Sequence, residues 1–231
     1  MRRLFVLSLL LALTATTFAQ KPTAESIRKR FSIGTTLFTD LWQNVPDSID
    51  TRTINQGIDV YATYNFPMDR KGHMFFFAGA GIGAHNFYSK TMIKLDANDK
   101  SYFDYFPKTA NGHSVSVKKN KLSITYFDIP FGFQYKATNK IHATLGFKVG
   151  WSMNSHTKYK GTDYSDESTG RTVKLKSAGI PNIQKIHYGP LVTIGYKWVG
   201  LTASYQVTPT FEKDMGPEIY PISVGITLRP F

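Results

Sequence analysis

The chain has 231 residues, no cysteine, and 28 Lys and Arg against 16 Asp and Glu, a formal net charge of +12. The lack of cysteine excludes a disulfide framework, thiolate chemistry and an N-terminal lipoprotein anchor. The basic excess suits either nucleic acid or lipid phosphate, and an exported chain meets lipid phosphate far more often.

Export is written in the first residues. Arg2 and Arg3 precede a nearly continuous apolar run over 4–13, and Thr17-Phe18-Ala19 forms a small-x-small site before Gln20. That is a charged n-region, a short apolar core and a cleavage signal, so 1–19 reads as a signal peptide. A permanent helical anchor would need about 20 apolar residues, and no later run supplies them because alternation interrupts each one. Residues 20–30 read as a short periplasmic lead-in, and 31–231 as one β domain.

Taken in order, the first predicted strand is 31–42, with Phe31, Ile33, Leu37 and Leu41 on one parity. A loop at 43–56 carries Pro46, Asp47, Ser48 and Asp50. The second strand, 57–66, sets Ile58, Val60, Ala62, Tyr64 and Phe66 against Asp59, Tyr61, Thr63 and Asn65. A brief turn at 67–72 leads to the third, 74–88. There Met74, Phe76, Ala78, Ala80, Ile82 and Ala84 oppose Gly79, Gly81, Gly83 and His85. The glycine file looks like a phosphate loop, yet it lies within a strand pattern and opens no helix, so it reads as room for inward neighbours in a narrow barrel.

A long, basic connection follows at 89–120. The fourth strand, 122–136, changes phase: Leu122, Ile124 and Tyr126 share one parity, and Phe127, Ile129, Phe131, Phe133 and Tyr135 the other. Either a bulge near Tyr126 and Phe127 re-aims the side chains, or the first part stands above the membrane, where parity is unconstrained. After a turn at 137–140 the fifth strand, 141–154, gives the clearest signal in the chain. Ile141, Ala143, Leu145, Phe147, Val149, Trp151 and Met153 alternate with His142, Thr144, Gly146, Lys148, Gly150, Ser152 and Asn154. Side chains alternate faces along a strand. The run is longer than most globular strands need and matches the roughly 9–11 tilted residues that cross a bilayer as a β-strand. A soluble sheet would carry many charges on its polar side, whereas small Gly, Ser and Thr suit a crowded lumen.

A second long loop covers 155–185. The sixth strand, 187–198, turns at once around Trp198 and Val199 into the seventh, with Leu201, Ala203, Tyr205 and Val207 on its apolar parity. A loop at 209–219 leads to the last strand, 220–231. Eight strands result, and their seven connections alternate long and short. Outer-membrane barrels have short periplasmic turns at one end and longer extracellular loops at the other, and the even count leaves both termini on the short-turn side. Trp42, Tyr135, Trp151, Tyr188, Trp198 and Tyr220 fit aromatic girdles near strand ends. The expected fold class is all-β, an eight-stranded antiparallel up-and-down transmembrane β-barrel.

Candidate sites follow from parity. Asp128 has inward parity, as does Lys148 on the next strand. A five-residue loop at the 137–140 turn sets them opposite each other, and a three-residue loop makes them diagonal neighbours. An eight-stranded barrel is just filled by side chains, and an unpaired buried charge is costly. The pair therefore reads as a structural plug rather than an ion relay, with Asp59, Lys197 and Arg229 in the same polar lumen network. Of six His, His85, His142 and His187 point inward, without the close spacing of a metal site. No serine, histidine and acid are singled out as a triad. Neither a cofactor, a metal nor an enzymatic activity is expected. Between 89 and 121 seven Lys face three Asp, so Lys94, Lys100, Lys108, Lys118 and Lys119 form a basic loop suited to lipopolysaccharide phosphates or to plain solvation.

Two segments resemble a known family. Tyr126-Phe127-Asp128-Ile129-Pro130-Phe131-Gly132-Phe133-Gln134-Tyr135-Lys136 resembles the acidic-Ile-Pro-hydrophobic strand of PorT-like outer-membrane β-barrel proteins. Ile222-Ser223-Val224-Gly225-Ile226-Thr227-Leu228-Arg229-Pro230-Phe231 resembles the C-terminal strand whose terminal aromatic is read by the barrel assembly machinery. Phe231 departs from that pattern, being out of phase with Ile222, Val224, Ile226 and Leu228 across Pro230, so a kink must restore its direction. The resemblance implies the outer membrane of a Gram-negative cell envelope, with Phe231 as assembly signal. It also implies envelope or secretion-complex proteins as partners, because the PorT protein is tied to a secretion apparatus. The function expected is a structural or interaction role through the extracellular loops or the periplasmic rim. The alternatives are a lipid-modifying enzyme and a secreted lipocalin-like carrier with its apolar parity inward.

Overall fold

Alternating side chains and three tight turns build the fold. In the computed structural model, which describes residues 30–229 apart from Ser48, the chain is almost wholly β. The signal peptide, nearly all of the lead-in, and Phe231 lie outside the described residues. The strands are β1 (Phe31–Gln43), β2 (Gln56–Pro67), β3 (Met74–Tyr88), β4 (Thr91–Leu95), β5 (Ser101–Tyr105), β6 (Thr109–Ala110) and β7 (His113–Ser114). They continue with β8 (Val117–Lys136), β9 (Ile141–Thr162), β10 (Thr172–Ala178), β11 (Ile186–Tyr196), β12 (Val199–Tyr205) and β13 (Tyr220–Leu228).

Eight of them form a ring. Each of β1, β2, β3, β8, β9, β11, β12 and β13 pairs antiparallel with both neighbours, and β13 returns to β1. Every backbone N–H and C=O row in the ring thus has a facing strand, and no edge is left open. The hairpins β4–β5 and β6–β7 sit within the connection from β3 to β8, and β10 adds to the far half of β9. These were expected as loop. β8 and β9 run on past the apolar alternation to 20 and 22 residues, because polar residues alternate there with other polar residues and give no contrast in sequence.

The short turns set the register. At the β8–β9 turn the Lys140 amide donates to the Ala137 carbonyl at 3.1 Å, and Lys140 has φ +70°. That is a three-residue hairpin closed by a left-handed residue. It pairs Lys136 with His142 and Pro130 with Lys148, so Asp128 and Lys148 are diagonal neighbours, the second of the two expected registers. The Lys197 amide donates to the Lys140 carbonyl at 3.0 Å, tying two short turns together.

Burial is inverted relative to a soluble sheet. Leu145, Ile194 and Leu201 are 67%, 62% and 63% exposed, while Asp40, Gln134 and His187 are 0%, 1% and 2% exposed. The apolar parity faces out around the ring and the polar parity faces in.

The phase change in the fourth predicted strand has a specific cause. Leu122, Ile124 and Tyr126 share the inward parity of Asp128 and are buried. β8 itself keeps its phase, and what changes is the surroundings. Above Tyr126 the inside becomes apolar, a cluster of Phe87, Leu122, Ile124, Tyr126, Ile183, Phe211 and Ile219, with Trp42, Val45, Ile93, Phe103 and Ile180 packed against it. All four long connections contribute to this cap. A register shift does lie beside Tyr126, where Thr125 faces Asn154 and Tyr126 faces Ser152. The extra residue is Met153 on β9, so it is β9 whose parity reverses.

Candidate functional site

The inward side chains form layers between the cap and the short turns. Beneath the cap, Tyr126 lies between two histidine rings, with centroids 5.5 Å from His85 and 4.1 Å from His187. His85 Nδ1 meets Asp40 Oδ2 at 2.9 Å, and Ser223 Oγ donates to Asp40 Oδ1 at 2.6 Å. Three distant stretches, on β1, β3 and β13, are joined through one fully buried carboxylate.

One layer down, Lys148 Nζ lies 3.3 Å from Asp128 Oδ2 and 3.5 Å from Asp59 Oδ2. Asp128 Oδ1 meets His187 Nε2 at 2.7 Å. Two glycines make the space for this group. A side chain at Gly83 would run into Asp59 and Asp128, and one at Gly150 into Asp128 and His187. Part of the glycine file on β3 is therefore the room the carboxylates occupy.

Below the ion cluster a cavity of about 70 Å³ is lined in part by Asp59, Tyr61, Asp128, Lys148 and Arg229. Hydroxyls bridge the wall beside it: Thr36–Thr227 at 2.7 Å, Thr227–Thr202 at 2.6 Å and Thr202–Thr193 at 2.8 Å. This chain of side-chain bonds crosses β1, β13, β12 and β11. Gln134, with its amide oxygen turned inward, accepts from Arg229 at 2.7 Å. At the short-turn mouth, Lys136, Lys140, His142, Lys197 and Arg229 help line an open crevice of about 420 Å³.

The structure brings Asp128, Lys148 and Asp59 together and places Arg229 a layer below them, on the far side of the cavity. Lys197 does not join them. It sits in the β11–β12 turn with φ +52°, exposed, with its ammonium 5.3 Å from the centre of the Tyr196 ring. Parity carried the sixth strand one turn too far, since the strand ends at Tyr196. His187 and the Asp40–His85–Ser223 group were not linked to the network in sequence. Inward parity was visible for His187, but its height against Asp128 depends on registers across β8, β9 and β11.

The basic loop residues scatter. Lys94 pairs with Asp104 at 2.6 Å on the β4–β5 hairpin; the charge-assisted hydrogen bond raises the lysine above, and lowers the carboxyl below, their ordinary values. Lys100 lies at the tip of that hairpin, and Lys108 just before β6. Lys118 occupies a register shift in β8 and bonds Thr172 Oγ1 at 3.4 Å, and Lys119 is paired into β8 opposite Lys160.

The chemistry of these groups is structural. In the Ser223–Asp40–His85 group the acid stands between the other two, so the histidine does not contact the serine proton as a general base must. Among the described residues no group of three or more His, Cys, Asp and Glu is arranged to hold a metal ion.

No curated protein matches the chain. Among solved structures it is similar to the attachment invasion locus protein Ail of Yersinia pestis, at 12% identity and TM-score 0.36. The same protein with the heparin analogue sucrose octasulfate gives 11% and 0.35, and in both cases 87% of this chain and 97% of the other are covered. A mutant porin of Rh. blastica is similar at 10% identity and TM-score 0.20, covering 86% and 98%. A family model described as outer membrane protein beta-barrel domain matches residues 18–215. That match does not single out the PorT-like proteins that two motifs resemble. On that match, over most of its length, the chain belongs to the family of outer-membrane protein β-barrel domains and is a component of the Gram-negative outer membrane.

Proposed function

We propose that this is a non-enzymatic integral barrel whose eight ring strands cross the outer membrane, whose lumen is plugged by its own side chains, and which acts through its outer surface as a structural or interaction component. The observation that carries the reading is the inverted burial: Leu145, Ile194 and Leu201 face outward while Asp40, Asp128 and Gln134 face inward. Hydrocarbon outside and a hydrogen-bonded interior satisfy both sets, because only a helix or a closed sheet meets its backbone polar groups without water. A lipocalin-like carrier would need the opposite orientation. The short-turn end is then periplasmic and the apolar cap faces outward. Under this reading the ion cluster and the cap close the tube, since open aqueous barrels use about 16 strands.

The cysteine-free chain makes the test direct. Single variants Leu145→Cys, Ile194→Cys and Leu201→Cys should resist a water-soluble maleimide in native envelopes, while Lys100→Cys reacts. Ready labelling at the first three positions sinks the transmembrane reading. Planar-bilayer recording should show no porin-like steady conductance, and such a conductance would remove the plug. A secretion-associated role, implied by the PorT resemblance, places its partners at the same outer surface or at the periplasmic rim. Crosslinking in intact cells tests for them.

A further inference from the structure

A three-stranded sheet rises above the ring at the capped end, made of the far halves of β8 and β9 together with β10. Its register aligns lysines. Lys121, Lys158 and Lys176 stand in one cross-strand row, and Lys119, Lys160 and Lys174 in the next. Directly paired residues share a face, so all six project from the same side. That side is outward, because Lys119 and Lys121 have the parity of Phe127, Ile129 and Phe131. The additional residue Met153 brings even-numbered Lys158 and Lys160 to the side that Trp151 occupies lower on β9.

Like charges placed opposite each other destabilise a sheet, and here four such pairs adjoin. Among the described residues none of the six lysines makes an ion pair. Their mutual influence is visible in their neighbours. Burial, then the charges of Lys158 and Lys119, holds the Lys121 ammonium below its ordinary value. One row lower, burial and then Lys176, Lys158 and Lys121 depress His156, whose ring nitrogens have no hydrogen-bond partner within the protein. Lys119 and Lys121, with Arg52, also lie 5.2–5.7 Å from the centre of the Tyr88 ring. The nearby acids Asp163, Asp166 and Glu167 are at the hairpin tip, beyond the rows. A surface that repels itself and is not neutralised by its own chain fits a counter-charge from outside.

We propose that this lysine lattice docks the phosphate-bearing headgroup of lipopolysaccharide in the surrounding leaflet. The proposal rests on the transmembrane reading above. Lys121 lies six residues beyond Phe127, about 20 Å along the strand and about 15 Å in height at a tilt of about 40°. That height suits the anionic sugars and phosphates of a glycolipid headgroup, directly over the apolar band of the same wall. A soluble polyanion would need no such alignment with the lipid-facing side. The lattice takes in Lys119 from the basic loop and leaves out Lys94, Lys100, Lys108 and Lys118.

The test uses the full mature chain in phosphatidylcholine nanodiscs titrated with fluorescent lipopolysaccharide. The variant Lys121→Gln/Lys158→Gln/Lys160→Gln removes half the lattice. At roughly fivefold per lysine near an anionic surface, its affinity falls by on the order of 100-fold. The control Lys71→Gln/Lys140→Gln/Lys197→Gln, of equal charge change at the short-turn end, keeps wild-type affinity. In nanodiscs without lipopolysaccharide the lattice variant melts no lower than wild type, which separates lost binding from lost folding. Three results overturn the proposal: unchanged affinity in the lattice variant, an equal loss in the control, or equal binding of phosphate-stripped lipopolysaccharide. Binding of soluble heparin without any preference for lipopolysaccharide assigns the lattice to a sulfated polymer instead and also overturns it. Failure of the barrel reading appears separately, as failure of the wild type to insert.

Discussion

Removing the Lys148 ammonium leaves Asp59 and Asp128 in the lumen without their shared cation. At separations of 3.5 and 3.3 Å, each attraction is about 5 kcal/mol at an effective dielectric of about 20. The ammonium recovers several kcal/mol of hydration when it is not buried, so the net loss for breaking a buried pair is about 3–5 kcal/mol. Lys148→Met keeps an unbranched stem one atom shorter and deletes the ammonium, with its charge and its donors. Urea unfolding of the refolded barrel in phosphatidylcholine vesicles, followed by Trp fluorescence, reads the change. The double variant Lys148→Met/Asp128→Asn should recover part of the loss, because one orphaned carboxylate is gone. Asp128→Asn alone should also destabilise, since Lys148 loses an ionic partner and His187 loses a carboxylate hydrogen-bond partner. A Lys148→Met barrel within about 1 kcal/mol of wild type, the range of an exposed ion pair, refutes the reasoning. So does a double variant weaker than the sum of its parts.

Gly150→Ala drives a methyl group into the Asp128–His187 contact, and overpacking of this kind costs about 1–3 kcal/mol; the same urea titration checks it, and an unchanged midpoint counts against the fit of that layer. Phe211→Ala empties a buried site in the cap and should cost about 3–5 kcal/mol if the cap unfolds together with the ring. If it is an independent unit, protease cuts the long connections while the ring persists, and equal protease resistance in variant and wild type defeats both versions. In the β2–β3 turn, Asp69 Oδ1 accepts from the His73 and Met74 amides at 2.9 and 2.8 Å, bonds that lower its carboxyl below the ordinary value. A depressed carboxyl stabilises the turn above its unfolded value and loses that contribution as pH falls through the folded one. The protection of those two amides, their exchange rate relative to unstructured amides at the same pH, should therefore fall only under acid, below the usual carboxylate range, and Asp69→Ala should remove that step; an acid step in protection persisting in the variant refutes the assignment.

Much of the ring was legible because its environment is two-sided. Apolar side chains outside and small polar ones inside give strict contrast over 141–153, and the same contrast locates each ring strand. Legibility ended where the contrast ended. Residues 155–162 extend β9 with polar side chains on both faces, so the sequence pattern there resembles loop. Leu122, Ile124 and Tyr126 looked like a change of phase, yet they keep phase under a cap assembled from four separate connections, a contact set with no local signature. Lys148 and Asp128 could be found from parity and one turn. Asp40, His85 and Ser223 could not, because their heights are set by three strands whose registers come from different hairpins. Lys197 shows the limit of parity: alternation ran on smoothly through a turn that the backbone had already made.

The cap has an evolutionary consequence. Exposed connections of a protein ordinarily tolerate substitution and insertion more freely than the elements they join. Here each of the four long connections gives side chains to one buried cluster, among them Val45, Phe103, Ile183 and Phe211. A change in one of them is felt by the other three. Variation is then confined to tips that contribute nothing to that cluster, around Asp96–Lys100 and 163–171, and the remainder of the four connections is held as constant as an interior.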